Sequence, residues 1–312
     1  MRPLHFIPDN TAIRFMRYAR YGVMASLAAC IISIGLFFFA GLNFGIDFKG
    51  GTLIEIQTPQ KADIGALRKK IGSLNLGGFE LQEFGAPNDV LIRIETQKGG
   101  EKAQQNAIIK VKESLGKGIV YRRVEVVGPK VSGELAREGT IAVVVSILAV
   151  MIYIWFRFEW QFSIGAVLSL SHDVLLTIGV FAILQLEFGL PIIAAILTIV
   201  GYSLNDTVVV YDRVRENLRK YKKKELSEII DMSLNQMLRR TIITSLSTLL
   251  ALGSLYIFGG EVLRGFTFTM MWGVVIGTYS SIFIAAPLLI QLGARVSEPV
   301  KTEDDSAIGE NA

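Results

Sequence analysis

Asp206 is the only Asp, Glu, Lys, Arg or His in the apolar run from Ile192 to Val210. A charge at the centre of a membrane-spanning helix costs about 2.5 to 3.5 kcal/mol, so a carboxylate kept there implies a partner or a task. Helical spacing supplies candidates. An earlier apolar run sets Ser169, Asp173 and Thr177 four residues apart with His172 beside them, and the run of Asp206 sets Thr198, Tyr202 and Asn205/Asp206 at similar spacing. The following run opens on Arg240, Thr244 and Ser247/Thr248, also along one face. The runs carrying Asp206 and Arg240 are antiparallel neighbours, so the two side chains fall at similar depth and can meet, with Asp173 closer to the midplane. Moving a guanidinium toward or away from a carboxylate switches its proton affinity, which is the chemistry of an ion-coupled pump. One charge crossing 100 mV supplies about 2.3 kcal/mol, enough to bias such a switch. The plainer alternative is structural. Ser, Thr and Asn between helices contribute about 0.6 kcal/mol each as hydrogen bonds, and the charged pair would then be a salt bridge that fixes packing. For the Ser and Thr residues this alternative is the better one. Two embedded carboxylates on adjacent helices exceed what packing requires, so Asp206 and Arg240 are read as functional, and Asp173 with His172 stays open between the two roles.

These residues need membrane spans to carry them. The chain has 312 residues, 51% of them hydrophobic, and the apolar residues come in runs rather than stripes. Six runs approach the ~20 residues that cross a hydrocarbon core: 21–42, 139–156, 162–184, 188–210, 241–258 and 266–292. Basic residues are uneven. Arg2, Arg14, Arg17 and Arg20 precede the first run, and nine Lys or Arg between Arg213 and Arg240 separate the fourth from the fifth. The positive-inside rule therefore predicts cytoplasmic termini and a basic cytoplasmic segment at 211–240. Leu27-Ala28-Ala29-Cys30 looks like a lipoprotein cleavage box, but the apolar run continues to Phe39, so it reads as a full span. Cys30 is the only cysteine, which excludes a disulfide or a cysteine metal cluster within the chain.

Between the first two spans lies a polar insertion, 43–138, with the periodicity of a small soluble domain. Residues 52–57, 79–84, 90–94 and 121–127 alternate as strands, and 61–72 and 101–115 space their apolar residues as helices. The order β-α-β-β-α-β predicts a ferredoxin-like α+β domain. The stretch Phe44 to Thr52 (Phe-Gly-Ile-Asp-Phe-Lys-Gly-Gly-Thr) reads as a tight turn from the first span into the first strand. The N-terminal segment 1–20 is read as cytoplasmic, as is the polar tail at 293–312, which is expected to be disordered. No phosphate loop, nucleophile triad or metal-spaced histidine cluster appears, and only His5 and His172 are present, so no catalytic or metal-ligating residues are assigned and a conventional enzyme is not expected. The basic runs lack interleaved aromatics and flank spans, which argues against nucleic acid as a partner; Lys220 to Lys224 reads as a positive-inside determinant able to touch anionic lipid.

Taken together, Phe44 to Thr52, Gly128 to Ser132, Ser171-His172-Asp173, Gly201 to Arg213 and Arg240 to Ser245 resemble the SecD/SecF family of bacterial protein-export membrane proteins, within the RND (resistance, nodulation, division) transporter superfamily. The resemblance covers almost the whole chain. It implies an all-α six-helix RND half-transporter with a periplasmic insert, a multi-pass protein of the bacterial inner membrane that pairs with a second half, SecD. It also implies association with the SecYEG channel and YajC, action on preproteins mainly through SecD, and proton-motive force as energy source with no cofactor. In this reading Asp206 carries the proton with Arg240 as its partner, Asp173, His172 and Asn205 complete the relay, and Gly45, Ile46, Asp47, Phe48, Gly50, Gly51 and Thr52 form the family loop. Ser171 departs from the small apolar residue expected before His172-Asp173. Two other functions stand beside this one: a passive scaffold for SecD or the channel, and half of a small-molecule exporter, for which the compact insertion leaves little room.

Overall fold

The computed structural model describes residues 11–294, so the readings on Arg2, His5 and the tail beyond Ala294 lie outside the described residues. Six helices among the described residues are long and apolar enough to span a membrane, and all outrun their apolar cores. They are α1 (Phe15–Phe39), α5 (Pro129–Arg157), α6 (Trp160–Leu184), α7 (Leu190–Lys220), α8 (Leu226–Phe258), and α9 (Glu261–Ser280) continued by a π turn (Ser281–Ala285) and α10 (Ala286–Gln291). The helices run on past their apolar residues because helix ends follow hydrogen bonding and not hydrophobicity. Helix α5 starts at Pro129, a residue suited to the first helical position, ten residues before the apolar run at Gly139 and inside the stretch read as insertion. The Asp231 carboxylate of α8 accepts the Met16 N–H at the start of α1 (2.9 Å). The basic segment 211–240 is helical except for its tip. It consists of the last turns of α7 and the first of α8, held together by Asn217, whose amide donates to Ser233 Oγ (2.8 Å) and Gln236 Oε1 (2.9 Å).

Helices α6, α7 and α9 form the middle of the bundle. Between 44% and 56% of their apolar windows is buried, against 11% for α1, α5 and α8, which present most of their apolar surface outward. Close approach within the centre depends on missing side chains. A Cβ on Gly277 of α9 would stand 2.9 Å from the Ser203 Cβ of α7, and one on Gly273 would meet Ile199.

The insert holds β2 (Gly51–Gln57), α3 (Ile64–Gly72), β3 (Phe79–Glu83), β4 (Asp89–Ile94), α4 (Gly100–Leu115) and β5 (Val120–Val127). Its sheet is antiparallel throughout in the order β3-β4-β2-β5, which is the ferredoxin-like topology. One face packs Ile54, Ile56, Ile92 and Ile94 against Leu67 and Ile71 of α3 and Val111 of α4. The family loop is more ordered than a simple turn. A two-residue strand β1 (Asn43–Phe44) pairs in parallel with β6 (Glu187–Phe188), and α2 (Ile46–Lys49) follows as a single helical turn. Gly50 and Gly51 then adopt φ of +73° and +122° to turn the chain into β2. Thr52 belongs to the insert's core, where its hydroxyl accepts from the Gln104 amide.

Candidate functional site

The Asp47 carboxylate accepts the N–H of Leu190, the first residue of α7, at 2.8 Å, placing a negative charge at the positive end of that helix. Arg93 of β4 reaches Glu187 (2.5 Å) and donates to Asn43 Oδ1 (3.1 Å). Phe44, Phe48, Phe181 and Phe188 form an aromatic joint at the same level. The insert is therefore fixed to the start of the helix that carries Asp206. Asp47→Ala is expected to remove about 1 kcal/mol of capping and raise amide exchange in the first turn of α7, measurable by hydrogen exchange with mass detection.

Deeper in the bundle lie the two carboxylates. Asp173 is 1% exposed. Its Oδ1 sits 2.9 Å from His172 Nδ1, and its Oδ2 accepts from the hydroxyls of Ser203 on α7 (2.6 Å) and Ser280 on α9 (2.9 Å). Asp206 is 9% exposed; its Oδ1 accepts from Thr241 on α8 (2.9 Å) and its Oδ2 from Ser281 (2.7 Å). Asp206 follows Ser203 by three positions, so the two layers are about one helical turn apart, ~4.5 Å along the axis. Each acid is satisfied by hydroxyls from neighbouring helices, a state that a buried carboxylate needs.

The seam expected from helical spacing divides in two. Asp206, Asp173, His172 and Thr177 point inward, whereas Asn205, Arg240, Thr198, Thr244 and Ser247 are exposed on the outer side of α7 and α8. No ion pair joins Arg240 to Asp206 among the described residues: Asp206 is held by hydroxyls while Arg240 lies on the outer stripe, near enough for its charge to be felt. The physical reason is rotation. Asn205 and Asp206 are adjacent, so they stand 100° apart on the helix, and Arg240 and Thr241 divide in the same way. Thr241 meets the carboxylate in Arg240's stead.

Ser280 and Ser281 were not expected, although the polar run Thr278-Tyr279-Ser280-Ser281 inside an apolar span was a readable signal. Ser169 Oγ, Thr207 Oγ1 and His172 Nε2 are buried without a protein partner among the described residues. Asp173 faces Ser203 and Gly165 faces Tyr211, so antiparallel register brings Ser169 and Thr207 to one level between those pairs. Enclosed polar atoms of this kind are ordinarily satisfied by internal water.

Six spans, a ferredoxin-like insert and hydroxyl-held carboxylates at the centre define an RND-type membrane fold. Residues 107–295 match the family described as "Protein export membrane protein SecD/SecF, C-terminal", and residues 35–61 match the "SecD/SecF GG Motif". The chain belongs to the SecD/SecF family. It is 44% identical over 292 residues to "Protein translocase subunit SecF" of Rickettsia bellii, covering 92% of this chain and 95% of the relative. With "Protein translocase subunit SecDF" of Brucella abortus it shares 45% over 298 residues, 95% of this chain but 39% of that one. The crystal structure of SecDF from Thermus thermophilus, a translocon-associated membrane protein, superposes with a TM-score of 0.84 at 33% identity, covering 93% of this chain and 40% of that one. SecDF in a Super-membrane-facing form gives 0.69 at the same identity, over 94% and 40%.

Proposed function

We propose that this chain is an auxiliary subunit of the Sec protein translocase that works with SecD in the bacterial inner membrane, both termini cytoplasmic, and uses proton-motive force to promote preprotein translocation and release. The reading includes contact with SecYEG, YajC and surrounding lipid. One observation carries it. Pro191, Ala194, Thr198, Gly201 and Asn205 on α7, and Arg240, Thr244, Ser247 and Ala251 on α8, form a small and polar surface that is exposed at membrane depth beside a buried carboxylate. Polar groups at that depth face protein or water and not lipid, and small residues let helices approach closely, so this surface fits a second membrane half. The SecDF relatives, in which the matched region is about two fifths of a longer chain, support SecD as that half.

In the paired state Arg240 stands at the boundary between the halves. A shift of one half against the other turns the guanidinium toward or away from Asp206, and the joint at Asp47 and Arg93 passes the movement of α7 to the insert. The two superposition scores against SecDF, obtained at equal identity, support a fold that takes more than one arrangement.

With Cys30 replaced by Ala, Asn205→Cys is expected to form disulfide adducts with cysteines in the SecD spans, and Leu148→Cys on the outward face of α5 is expected to form none. Equal labelling of both positions by a lipid-soluble maleimide, with no SecD adduct from either, would remove the paired reading. The energy-coupling half of the proposal is tested by preprotein release from vesicles holding the assembled complex, which should quicken when a proton gradient is imposed.

A further inference from the structure

We propose that the Ser281 hydroxyl reads the protonation state of Asp206 by changing its hydrogen-bond acceptor, and that the Ser280-Ser281 pair joins the two carboxylates into one responsive unit. The inference rests on Asp206 being the proton carrier and adds the residue that senses it. Ser281 Oγ lies 2.7 Å from Asp206 Oδ2 and 3.0 Å from the Thr278 carbonyl, and a hydroxyl has one proton to give. With Asp206 ionised, that proton points to Oδ2. With Oδ2 protonated, the acid becomes a donor; Ser281 Oγ receives its O–H and turns its own proton to the Thr278 carbonyl. No proton leaves Ser281, and the one added to Asp206 stays on Oδ2. Thr241 is less suited to the task, since its hydroxyl has no second acceptor among the hydrogen bonds of the described residues.

Ser280 repeats the arrangement, with Asp173 Oδ2 at 2.9 Å and the Gly277 carbonyl at 3.2 Å. The two serines are adjacent, so one peptide links the carboxylate on α6 to that on α7. Ser281 is also the first residue of the π turn, a geometry found mostly as single turns at functional sites. The charged and titratable groups around this unit are Asp173 and His172 from α6, Arg240 from α8, Tyr279 from α9 and Cys30 from α1. Tyr279 lies against the His172 ring, tilted by 30° with centroids 6.3 Å apart, and donates to the Gly22 carbonyl of α1, so a shift of the serine turn has a route to the bundle's edge.

The test uses the full chain in its membrane complex. Infrared difference spectra between high and low pH should contain a protonated carboxyl band that Asp206→Asn removes. In Ser281→Ala this band is expected to move to higher frequency, because the acid O–H loses its acceptor, and gradient-stimulated preprotein release at matched membrane levels is expected to fall about tenfold. Ser281→Cys, close in volume with a weaker donor, should lie between the two and covers the case in which the alanine variant fails to assemble. An unmoved band in either assembled variant, or wild-type release in Ser281→Ala, overturns the proposal. If Asp206→Asn keeps its gradient response, the energy-coupling reading is the one that fails, and the band position still decides whether Ser281 contacts the acid.

Discussion

Asp206→Asn is expected to abolish the gradient-dependent part of preprotein release while the protein remains in the membrane at its usual level. The substitution keeps the shape of the side chain and its contacts. Thr241 can donate to the amide oxygen, and the amide N–H₂ can donate to Ser281 Oγ once that hydroxyl turns to the Thr278 carbonyl. Packing around α7, α8 and the π turn is thus preserved, and the ionisation is lost. Asparagine imitates the protonated acid permanently, which would hold the site in one of its two states. Release driven by the gradient should drop about tenfold or more, to the rate seen with no gradient, and basal release should stay. The measurement is release from vesicles at matched protein levels, with and without an imposed gradient. A passive scaffold predicts the reverse, because an amide that satisfies the same hydroxyls would leave a packing role intact. Unchanged release in Asp206→Asn would therefore transfer the function to the scaffold reading. Asp173→Asn provides a graded comparison, as Asp173 has three partners, His172, Ser203 and Ser280, and the change disturbs more of the central packing.

Much of this arrangement is legible in residue order. The alternation at 52–57 and 90–94 and the helical spacing at 101–115 mark β2, β4 and α4 where the structure has them, although both faces of the two strands are covered, one by the core under α3 and α4 and the other by Ile46 against Leu53 and Leu91. Apolar runs mark the six spans because lipid imposes that composition over a fixed length. What the runs do not contain is helix rotation. Residues four apart share a face, but nothing in the spacing of Asp206, Asn205 and Arg240 says which face is inside, and the structure sends Asn205 and Arg240 outward. The helices extend past the apolar runs for a related reason: Pro129 opens α5 through its backbone geometry, and Asp231 holds the first turn of α1 through a distant contact. The polar run from Thr278 to Ser281 shows that the last span carries hydroxyls, but it has the composition of ordinary interhelical glue and says nothing of a π turn. Only the neighbours on α6 and α7 reveal that two consecutive serines serve two carboxylates.

Gly51→Val is expected to cost the insert about 3 kcal/mol or more, the largest stability effect of any single change in the family loop. Two penalties coincide there. Gly51 has φ of +122°, where a side chain brings strain of about 1 to 3 kcal/mol. An added Cβ would also stand 2.3 Å from the Ile94 carbonyl oxygen, a backbone atom of the adjacent strand that cannot turn aside. Overpacking against such an atom adds about 1 to 3 kcal/mol. The site lies where β2 pairs with both β4 and β5, so relief by backbone movement would disturb the centre of the sheet. Gly50, with φ of +73° and Thr96, Ser132 and the Val127 carbonyl beside its missing Cβ, should respond less, because the nearest of these atoms, Thr96 Oγ1 at 2.9 Å, belongs to a side chain that can move and the carbonyl stands at 3.3 Å. Gly133→Ala in α5 is the control: it meets nothing within 4 Å and should be neutral or slightly stabilising in a helix interior. Proteolysis of the insert in membrane-embedded protein measures the difference. Gly51→Val should be cut at the insert's Lys and Arg residues at protease levels that leave Gly133→Ala intact. Because Asp47 and Arg93 join the insert to the start of α7, the same variant should raise amide exchange at Leu190 and Ile192 as well. Normal exchange there in a cleaved insert would separate the stability of the insert from the docking of α7, and the mechanical link between insert and carboxylate would then have to run through α5 instead.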